Sequence, residues 1–155
     1  MNRWQAWFSH VVTIAVGASG IVYLWMKYFM TTDDPFSLVN HPLQPHAISL
    51  HLLTAPLLVF AFGLIFESHI AARLRLGTPL NRRSGLISVL TFALMTGSGY
   101  ALQISSAAAL SRAALVLHLA SSGIFLVSYL LHQVVTFKLW RARTRLENEK
   151  AVAEA

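Results

Sequence analysis

The chain has 155 residues, of which 55% are hydrophobic and only 12% charged, and its mean hydropathy is +0.57. A water-soluble domain of this size could not bury so much apolar surface, so the composition predicts a membrane protein of one domain. The absence of cysteine excludes disulfides, iron–sulfur clusters, zinc-thiolate sites and covalently attached haem. The net charge of +6 comes with no nucleic-acid-binding motif, and we expect no nucleic-acid partner.

Four apolar segments are long enough to cross a hydrocarbon core of ~30 Å, which takes about 20 helical residues. In chain order they cover about residues 7–30, 47–70, 85–105 and 113–137. The first segment follows Arg3 as a signal peptide would, but it is too long and ends in bulky residues rather than a cleavage site. We therefore expect four retained spans, followed by a polar, helix-prone tail over residues 138–155.

Connections that are rich in basic residues alternate along the chain with connections that are poor in them. The first connection has no Lys or Arg, whereas the second connection and the tail are rich in them: Arg73, Arg75, Arg82, Arg83, Lys138, Arg141, Arg143, Arg145 and Lys150. The positive-inside rule then places both termini and the second connection in the cytoplasm. Short connections predict an all-α, multi-pass membrane protein, a four-helix bundle of up-down-up-down topology surrounded by lipid.

The fourth span carries two histidines, His118 and His132, fourteen residues apart. On a helix this spacing separates them by about 21 Å along the axis and about 40° in azimuth, so both lie on nearly one face. Imidazole is costly in hydrocarbon, and ionisable residues inside a membrane usually have a function. The spacing therefore predicts two sites, one towards each side of the membrane.

Two further histidines lie at matching depths in other spans. His51 is about five residues inside the outer end of the second span, and His118 is about six residues inside the outer end of the fourth. His10 and His132 are each about twenty residues from the outer boundary. We expect two level histidine pairs, one in each leaflet, against the alternative of chance or of polar hydrogen bonds between helices.

Paired imidazoles from facing helices are what a six-coordinate haem b requires as axial ligands. Zinc would need three or four converging ligands, and Mg²⁺ or Ca²⁺ would need oxygens. The sequence thus predicts two haems b, an outer haem held by His51 and His118 and an inner haem held by His10 and His132. Two haems stacked in this way form an electron path across the bilayer.

Several functions are compatible with the other polar residues in or near the spans. On a regular helix His69 returns to the azimuth of His51 about 27 Å lower, and it is an alternative inner ligand, a contact to a quinone or haem propionate, or an ordinary interfacial histidine. Glu67 is expected to pair with a nearby arginine rather than carry a proton to a quinone. His41 and His46 in the outer loop are surface residues, a docking patch or a quinol proton relay.

This pattern resembles the four-helix di-haem cytochrome b family, which includes the membrane subunits of respiratory formate dehydrogenases and nickel–iron hydrogenases. In that family the fourth helix supplies one ligand to each haem at about this spacing, and the first and second helices supply the others. The segment GSGYAL at Gly97–Leu102 is also similar to a motif of this group. The chain is shorter than the formate dehydrogenase subunit, and its outer loop does not map onto that subunit.

The resemblance implies that residues 1–137 form a cytochrome b domain in the cytoplasmic membrane of a bacterium. It implies an electron-transfer subunit of an oxidoreductase complex rather than an enzyme alone, working between the quinone pool and a partner redox protein. An extracytoplasmic c-type cytochrome or iron–sulfur protein would suit the outer loop. The alternatives are a small proton- or metal-coupled transporter or channel subunit, and a structural membrane subunit without cofactor.

Overall fold

The computed structural model describes residues 2–76 and 82–153, and every element in these two ranges is helical. The elements are α1 (Arg3–Tyr28), α2 (Gln44–Ile65), a π-helical turn (Phe66–Ala71), α3 (Ala72–Leu76), α4 (Arg82–Ile104) and α5 (Ala108–Ala153). In these ranges four segments are long and apolar enough to cross a membrane, namely Arg3–Tyr28, Gln44–Ala71, Gly85–Ile104 and Ala108–Val152. For these residues, the prediction of an all-α chain with four helices long and apolar enough to cross a membrane is confirmed.

Local capping moves the helix ends away from the limits predicted by hydropathy. α1 begins at Arg3, four residues before the predicted span, because Asn2 caps it. The Asn2 side chain accepts from the Gln5 backbone N–H at 2.9 Å, and the Gln5 side chain accepts from the Asn2 N–H at 3.1 Å, which is a capping box. α2 begins at Gln44 with Pro45 in its first turn, where the missing N–H of proline costs nothing.

The chain divides into two compact units, Met1–Arg75 and Leu76–Ala155. In the first unit α1 and α2 pack as an antiparallel hairpin, and Gln5 near the start of α1 donates its side-chain amide to the Leu64 carbonyl at 3.3 Å, near the end of α2. In the second unit α4 and α5 pack against each other in the same way. Each unit is therefore a helical hairpin, and each carries two of the four predicted haem ligands.

Buried side chains in both hairpins are mostly small or hydroxyl-bearing, whereas large apolar side chains along the spans are widely exposed. Hydroxyls inside the hairpins donate to carbonyls one turn earlier, as Thr13 does to Ser9 at 2.7 Å. Small and hydroxyl residues allow membrane helices to approach closely, and exposed apolar side chains suit contact with lipid. The buried residues are Val12, Thr13, Val16, Ser19, Leu58, Ala61, Thr91, Phe92, Met95, Ser98, Ala114, Ser121, Phe125 and Ser128.

α5 is a single helix of 46 residues that runs through the predicted end of the fourth span. At 1.5 Å per residue it is about 69 Å long, more than twice the thickness of the hydrocarbon core. Its later part carries an exposed Arg143–Glu147 ion pair of 2.9 Å, and the Arg141 guanidinium lies 4.9 Å from the centroid of the Phe137 ring. The helix-prone tail predicted from the sequence is thus helical as far as Ala153.

Phe125 is the residue whose truncation should most weaken the second hairpin. It is 5% exposed and its ring packs 6.0 Å from that of Phe92 on α4. Phe125→Ala is expected to lower the free energy of unfolding by about 3–5 kcal/mol, because it leaves a cavity between the two helices. The loss is measured by SDS titration of the protein in mild detergent micelles. Phe137→Ala, at a position 52% exposed, is the matched control, and equal losses in the two variants would contradict this packing.

Candidate functional site

Both predicted outer ligands lie against a glycine of their own hairpin. His51 on α2 packs on Gly20 of α1, where an added Cβ would lie 2.9 Å from the imidazole Cε1 and 3.1 Å from Nδ1. His118 on α5 packs on Gly99 of α4, where the corresponding distances are 3.1 Å and 3.2 Å. Each imidazole edge therefore lies in the space that any side chain larger than glycine would fill.

The same two imidazoles are bound by backbone carbonyls of the neighbouring helix. His51 Nδ1 is 3.1 Å from the Val16 carbonyl oxygen, and His118 Nδ1 is 2.9 Å from the Met95 carbonyl oxygen. A carbonyl can only accept, so each Nδ1 carries a proton, and in the neutral imidazole Nε2 then carries the lone pair. Histidines that bind a metal are commonly oriented by such a bond from their other ring nitrogen. Both side chains are thus in the tautomer that coordinates through Nε2.

A buried serine lies beside each of these carbonyls. Ser19 Oγ donates to the Val16 carbonyl at 3.1 Å, whereas Ser98 Oγ donates to the Leu94 carbonyl at 2.6 Å and lies 3.1 Å from the Met95 carbonyl oxygen. The two serines are 5% and 4% exposed. In each hairpin, the first helix therefore supplies a carbonyl, a serine three residues later and a glycine four residues later. We call this set the imidazole cradle: Val16, Ser19 and Gly20 in the first hairpin, and Met95, Ser98 and Gly99 in the second.

The likeness between the two hairpins extends to the second helix. Thr54 follows His51 by three residues, and Ser121 follows His118 by three residues. Each hydroxyl is 3.2 Å from the carbonyl of its histidine, and each also donates one turn back, at 2.7 Å for Thr54 and 2.6 Å for Ser121. The two outer candidates therefore lie in closely similar local structures.

Sequence reasoning missed the cradle, because its sequence signal is weak. The dipeptide Ser-Gly occurs at Ser19–Gly20 and at Ser98–Gly99, but it also occurs at residues 84–85 and 122–123, so it does not mark the cradle specifically. A glycine by itself does not indicate such a site, because glycine is common where membrane helices pack. The bonded carbonyls have no sequence signal, since every residue carries one.

His132 packs against a second glycine of α4. A Cβ on Gly85 would lie 3.8 Å from the His132 Cε1 and 3.9 Å from its Nδ1, which is ordinary contact. Gly85 precedes Gly99 by fourteen residues, and His132 follows His118 by fourteen. Because α4 and α5 are antiparallel, the two histidine–glycine contacts lie about 21 Å apart along the hairpin.

A pair of aromatic rings lies midway between these two contacts. Phe125 is seven residues from His118 and seven from His132, and Phe92 is seven residues from each of the two contacting glycines of α4. The Phe92 and Phe125 rings are 6.0 Å apart and both are buried. The second hairpin thus separates its two histidines by a packed apolar layer.

His10 is half-buried on α1, and its ring meets the Trp7 ring edge-on at 6.4 Å. It lies ten residues before Gly20, about 15 Å along the helix. In the register that places Gly20 beside His51, the residue level with His10 on α2 is Ala61, which is fully buried. A small residue therefore lies at the depth of this histidine as well.

His69 lies in the π-helical turn, where one sequence expectation is wrong. The azimuth expected for His69 assumed a continuous α-helix, but residues Phe66–Ala71 form a π-helix, whose bonds run from i to i+5. The wider turn changes the azimuth of every later residue relative to His51. Gln5 donates to the Leu64 carbonyl next to this turn. Such turns often occur at functional sites.

Glu67 pairs with an arginine, as expected from the sequence. Its carboxylate accepts from the Arg75 guanidinium at 2.9 Å, and both side chains are 73% exposed. An exposed pair of this kind contributes little to stability. The Glu67 carboxylate is therefore bound by the Arg75 guanidinium at the end of the second span.

The two outer-loop histidines lie near the start of α2. The His41 Nδ1 accepts from the Leu43 backbone N–H at 3.1 Å, which helps to order the loop before the helix. His46 is exposed in the first turn of α2. Their part in docking or proton transfer stays a prediction.

Each predicted haem would take one histidine from each unit: His51 and His10 belong to the first, His118 and His132 to the second. The pairing of these residues stays a prediction. Across residues 2–76 and 82–153, no cluster of three or more His, Asp or Glu side chains could hold a bare metal ion. A haem differs from such a site because the porphyrin supplies four iron ligands and the protein supplies two.

The chain was compared with protein-family models, with curated proteins and with solved structures, and none of the three comparisons finds a match. The resemblance to di-haem cytochromes b therefore stays a prediction. It depends on the four histidines and on the residues that support them.

Proposed function

We propose that the protein is a membrane electron-transfer subunit, a di-haem cytochrome b that passes electrons between the quinone pool and a partner redox protein. One observation carries the proposal: the imidazole cradle occurs in both hairpins. In each, a histidine of a membrane span donates Nδ1–H to a backbone carbonyl, at 3.1 Å for His51 and 2.9 Å for His118. Two imidazoles held in the coordinating tautomer are the axial donor set of a haem b.

The residues present fit that cofactor. His51 and His118 would hold the outer haem, and His10 and His132 the inner one. The haem supplies one-electron chemistry when it is bound, and the chain supplies binding, orientation and a dry surrounding. Glycines beside His51, His118 and His132 leave room for the imidazole edges. The buried Phe92–Phe125 pair lies between the depths of His118 and His132 in the second hairpin and would make the surrounding apolar there.

The partner is proposed to bind at the loop between α1 and α2. Phe36 and Leu38 in this loop are 90% and 100% exposed, and the neighbouring Asp33 and Asp34 are also exposed. Arginines at the opposite ends of the hairpins, such as the exposed Arg73, support a cytoplasmic side there under the positive-inside rule. The loop would then face the extracytoplasmic side of a bacterial membrane, where a c-type cytochrome or an iron–sulfur protein is the expected donor or acceptor.

Quinone exchange is proposed at the π-helical turn. His69 is half-buried there, within a membrane span, and can serve as a hydrogen-bond partner for a quinone carbonyl. The Glu67–Arg75 ion pair lies beside it and engages the carboxylate in a hydrogen bond of 2.9 Å at this end of the span.

The first test is the absorption spectrum of the detergent-purified chain, oxidised and reduced with dithionite, with haem counted per polypeptide. We expect sharp b-type bands on reduction and about two haems per chain, because four histidines form two axial pairs. The protein should be expressed with ample haem.

A colourless preparation under those conditions would overturn the proposal. The intramembrane histidines would then serve as proton relays of a transporter or channel subunit, or as packing residues of a structural subunit. Substituting single histidines separates these two, since a relay variant loses transport whereas a packing variant loses stability.

A further inference from the structure

We propose that the start of the α5 extension, residues 138–153, is a binding site for an anionic phospholipid, whose headgroup Lys138 and Arg141 hold at the membrane surface. The site lies on one helix of the second hairpin. It depends neither on the haems and their ligands nor on how the two hairpins are arranged.

The side chains of α5 form a shallow groove where the predicted fourth span ends. Its volume is about 390 Å³, and the described residues that line it are Gln133, Val134, Phe137, Lys138 and Arg141. Residues three and four positions apart are neighbours on a helix surface, which explains why these side chains meet. The apolar residues come first along the helix and the two cations follow. The groove therefore has an apolar part towards the span and a cationic part beyond it, as the chain and headgroup of a lipid require.

The Arg141 side chain is held against the apolar part of this groove. Its guanidinium carbon Cζ lies 4.9 Å from the centroid of the Phe137 ring, within the usual range of a cation–π contact. Because Phe137 comes one turn earlier, the contact turns the arginine back towards the span. A guanidinium over an aromatic face keeps its N–H donors, which bind phosphate oxygens in pairs.

The positive charge at the groove is not balanced by acidic residues of its own helix. The first acidic residue of α5 is Glu147, and it accepts from the Arg143 guanidinium at 2.9 Å. Arg143 follows Arg141 by two residues, about 200° around the helix, and so projects from the other side. Lys138 and Arg141 are both exposed and present two positive charges on one side of α5.

The depth of the groove indicates that its occupant is a lipid. The headgroup layer on each side of a bilayer is about 5–7 Å thick, which a helix crosses in about four residues. Phe137 ends the predicted span, so Lys138 and Arg141 fall in this layer, whereas Arg145 and Lys150 lie further out. A soluble anion would contact only the two cations, and a lipid also covers the exposed Phe137 ring.

The experiment is a lipid titration of the full chain in neutral detergent, followed by native mass spectrometry, which counts the lipids bound to each protein. Phosphatidylglycerol is the anionic probe, and phosphatidylcholine with the same acyl chains is the neutral probe. The parent should bind the first phosphatidylglycerol more tightly. Lys138→Gln and Arg141→Gln should each weaken its binding about fivefold, which corresponds to about 1 kcal/mol per basic residue near a membrane surface. Neither variant should change the affinity for phosphatidylcholine.

Arg143→Gln is the matched control, because it removes the same charge from the same helix at a position that is paired with Glu147. It should bind phosphatidylglycerol as the parent does. Phe137→Leu keeps the groove apolar but frees the Arg141 guanidinium, so it should weaken the binding of phosphatidylglycerol alone. All these positions are exposed and glutamine and leucine suit a helix, so the variants should fold, which far-UV circular dichroism checks.

Three results would overturn this inference. The first is equal affinity of the parent for the two lipids. The second is an equal loss in Arg141→Gln and Arg143→Gln, which would show attraction by net charge rather than by the groove. The third is displacement of phosphatidylglycerol by millimolar inorganic phosphate, which would make the groove a site for soluble anions. Lipid counting does not use the haem spectrum, so this inference and the proposed function fail separately.

Discussion

Replacement of His118 by alanine is expected to remove the outer haem and halve the haem content of the protein. Under the proposed function, this variant keeps only one of the two imidazoles that would hold the outer haem, and one imidazole alone should not retain it through purification. The Met95 carbonyl keeps a polar neighbour when the imidazole is removed, because Ser98 Oγ lies 3.1 Å from its oxygen, so the fold should survive. The haem content is measured per polypeptide from the absorption of the extracted pigment.

His51→Ala should give the same result as His118→Ala, because both residues are proposed to hold one haem. The double variant should then lose no more haem than either single variant, as expected for residues that act as a unit. His132→Ala should instead remove the inner haem and leave the outer spectrum intact. His46→Ala, at an exposed position of α2, is the control and should keep both haems. Losses that add between His51 and His118 would contradict their assignment to one site.

The four spans could be read from the sequence because a span is a property of twenty neighbouring residues. Hydropathy averaged over that length is insensitive to any one position. The helix ends were not readable in this way. Asn2 and Gln5 start α1 four residues early through two side-chain hydrogen bonds, which an average over twenty residues cannot register.

The spacing of the histidines in the sequence predicted them as candidate ligands. It did not predict the residues of the imidazole cradle that contact two of them. Helical periodicity places His118 and His132 on one face, and it depends only on their separation along one helix. The cradle depends on pairs that are distant in sequence, His51 with Gly20 and His118 with Gly99. The register of a hairpin decides these pairs, and the loop lengths of the two hairpins differ, which hides the repeat from a simple sequence comparison.

The π-helical turn at Phe66–Ala71 is a local feature that the sequence did not predict. Its residues are as compatible with an α-helix as those around them, so neither composition nor periodicity predicts the extra residue per turn. The azimuth inferred for His69 from an unbroken helix was therefore wrong, although the pairing of Glu67 with an arginine was right.

The glycines of α4 provide a test in which two neighbouring positions should behave in opposite ways. A Cβ on Gly99 would lie 3.1 Å from the His118 Cε1, so the imidazole must give way by a few tenths of an ångström. A Cβ on Gly97, two residues earlier, would meet nothing within 4 Å among the described residues. The two substitutions to alanine are chemically identical and differ only in what they approach.

Gly99→Ala is expected to weaken haem binding at the outer site by about 10–100-fold, the range typical for loss of a residue that orients a metal ligand. The displaced ring loses part of its 2.9 Å bond to the Met95 carbonyl, and with it the orientation of Nε2. Gly97→Ala should bind haem as the parent does and be slightly more stable, since alanine favours a helix by about 1 kcal/mol over glycine. Affinity is measured by titrating haem into the apoprotein.

Gly20→Ala extends the argument to the other ligand, where the contact is tighter. Its Cβ would lie 2.9 Å from the His51 Cε1, closer than real Cβ contacts allow, so this variant should lose at least as much affinity as Gly99→Ala. Loss of haem from Gly97→Ala to the same degree would point to a general effect of glycine on helix packing. Loss from Gly20→Ala and Gly99→Ala alone would place the cause at the imidazole edge, because those two positions share the contact with a histidine and Gly97 does not.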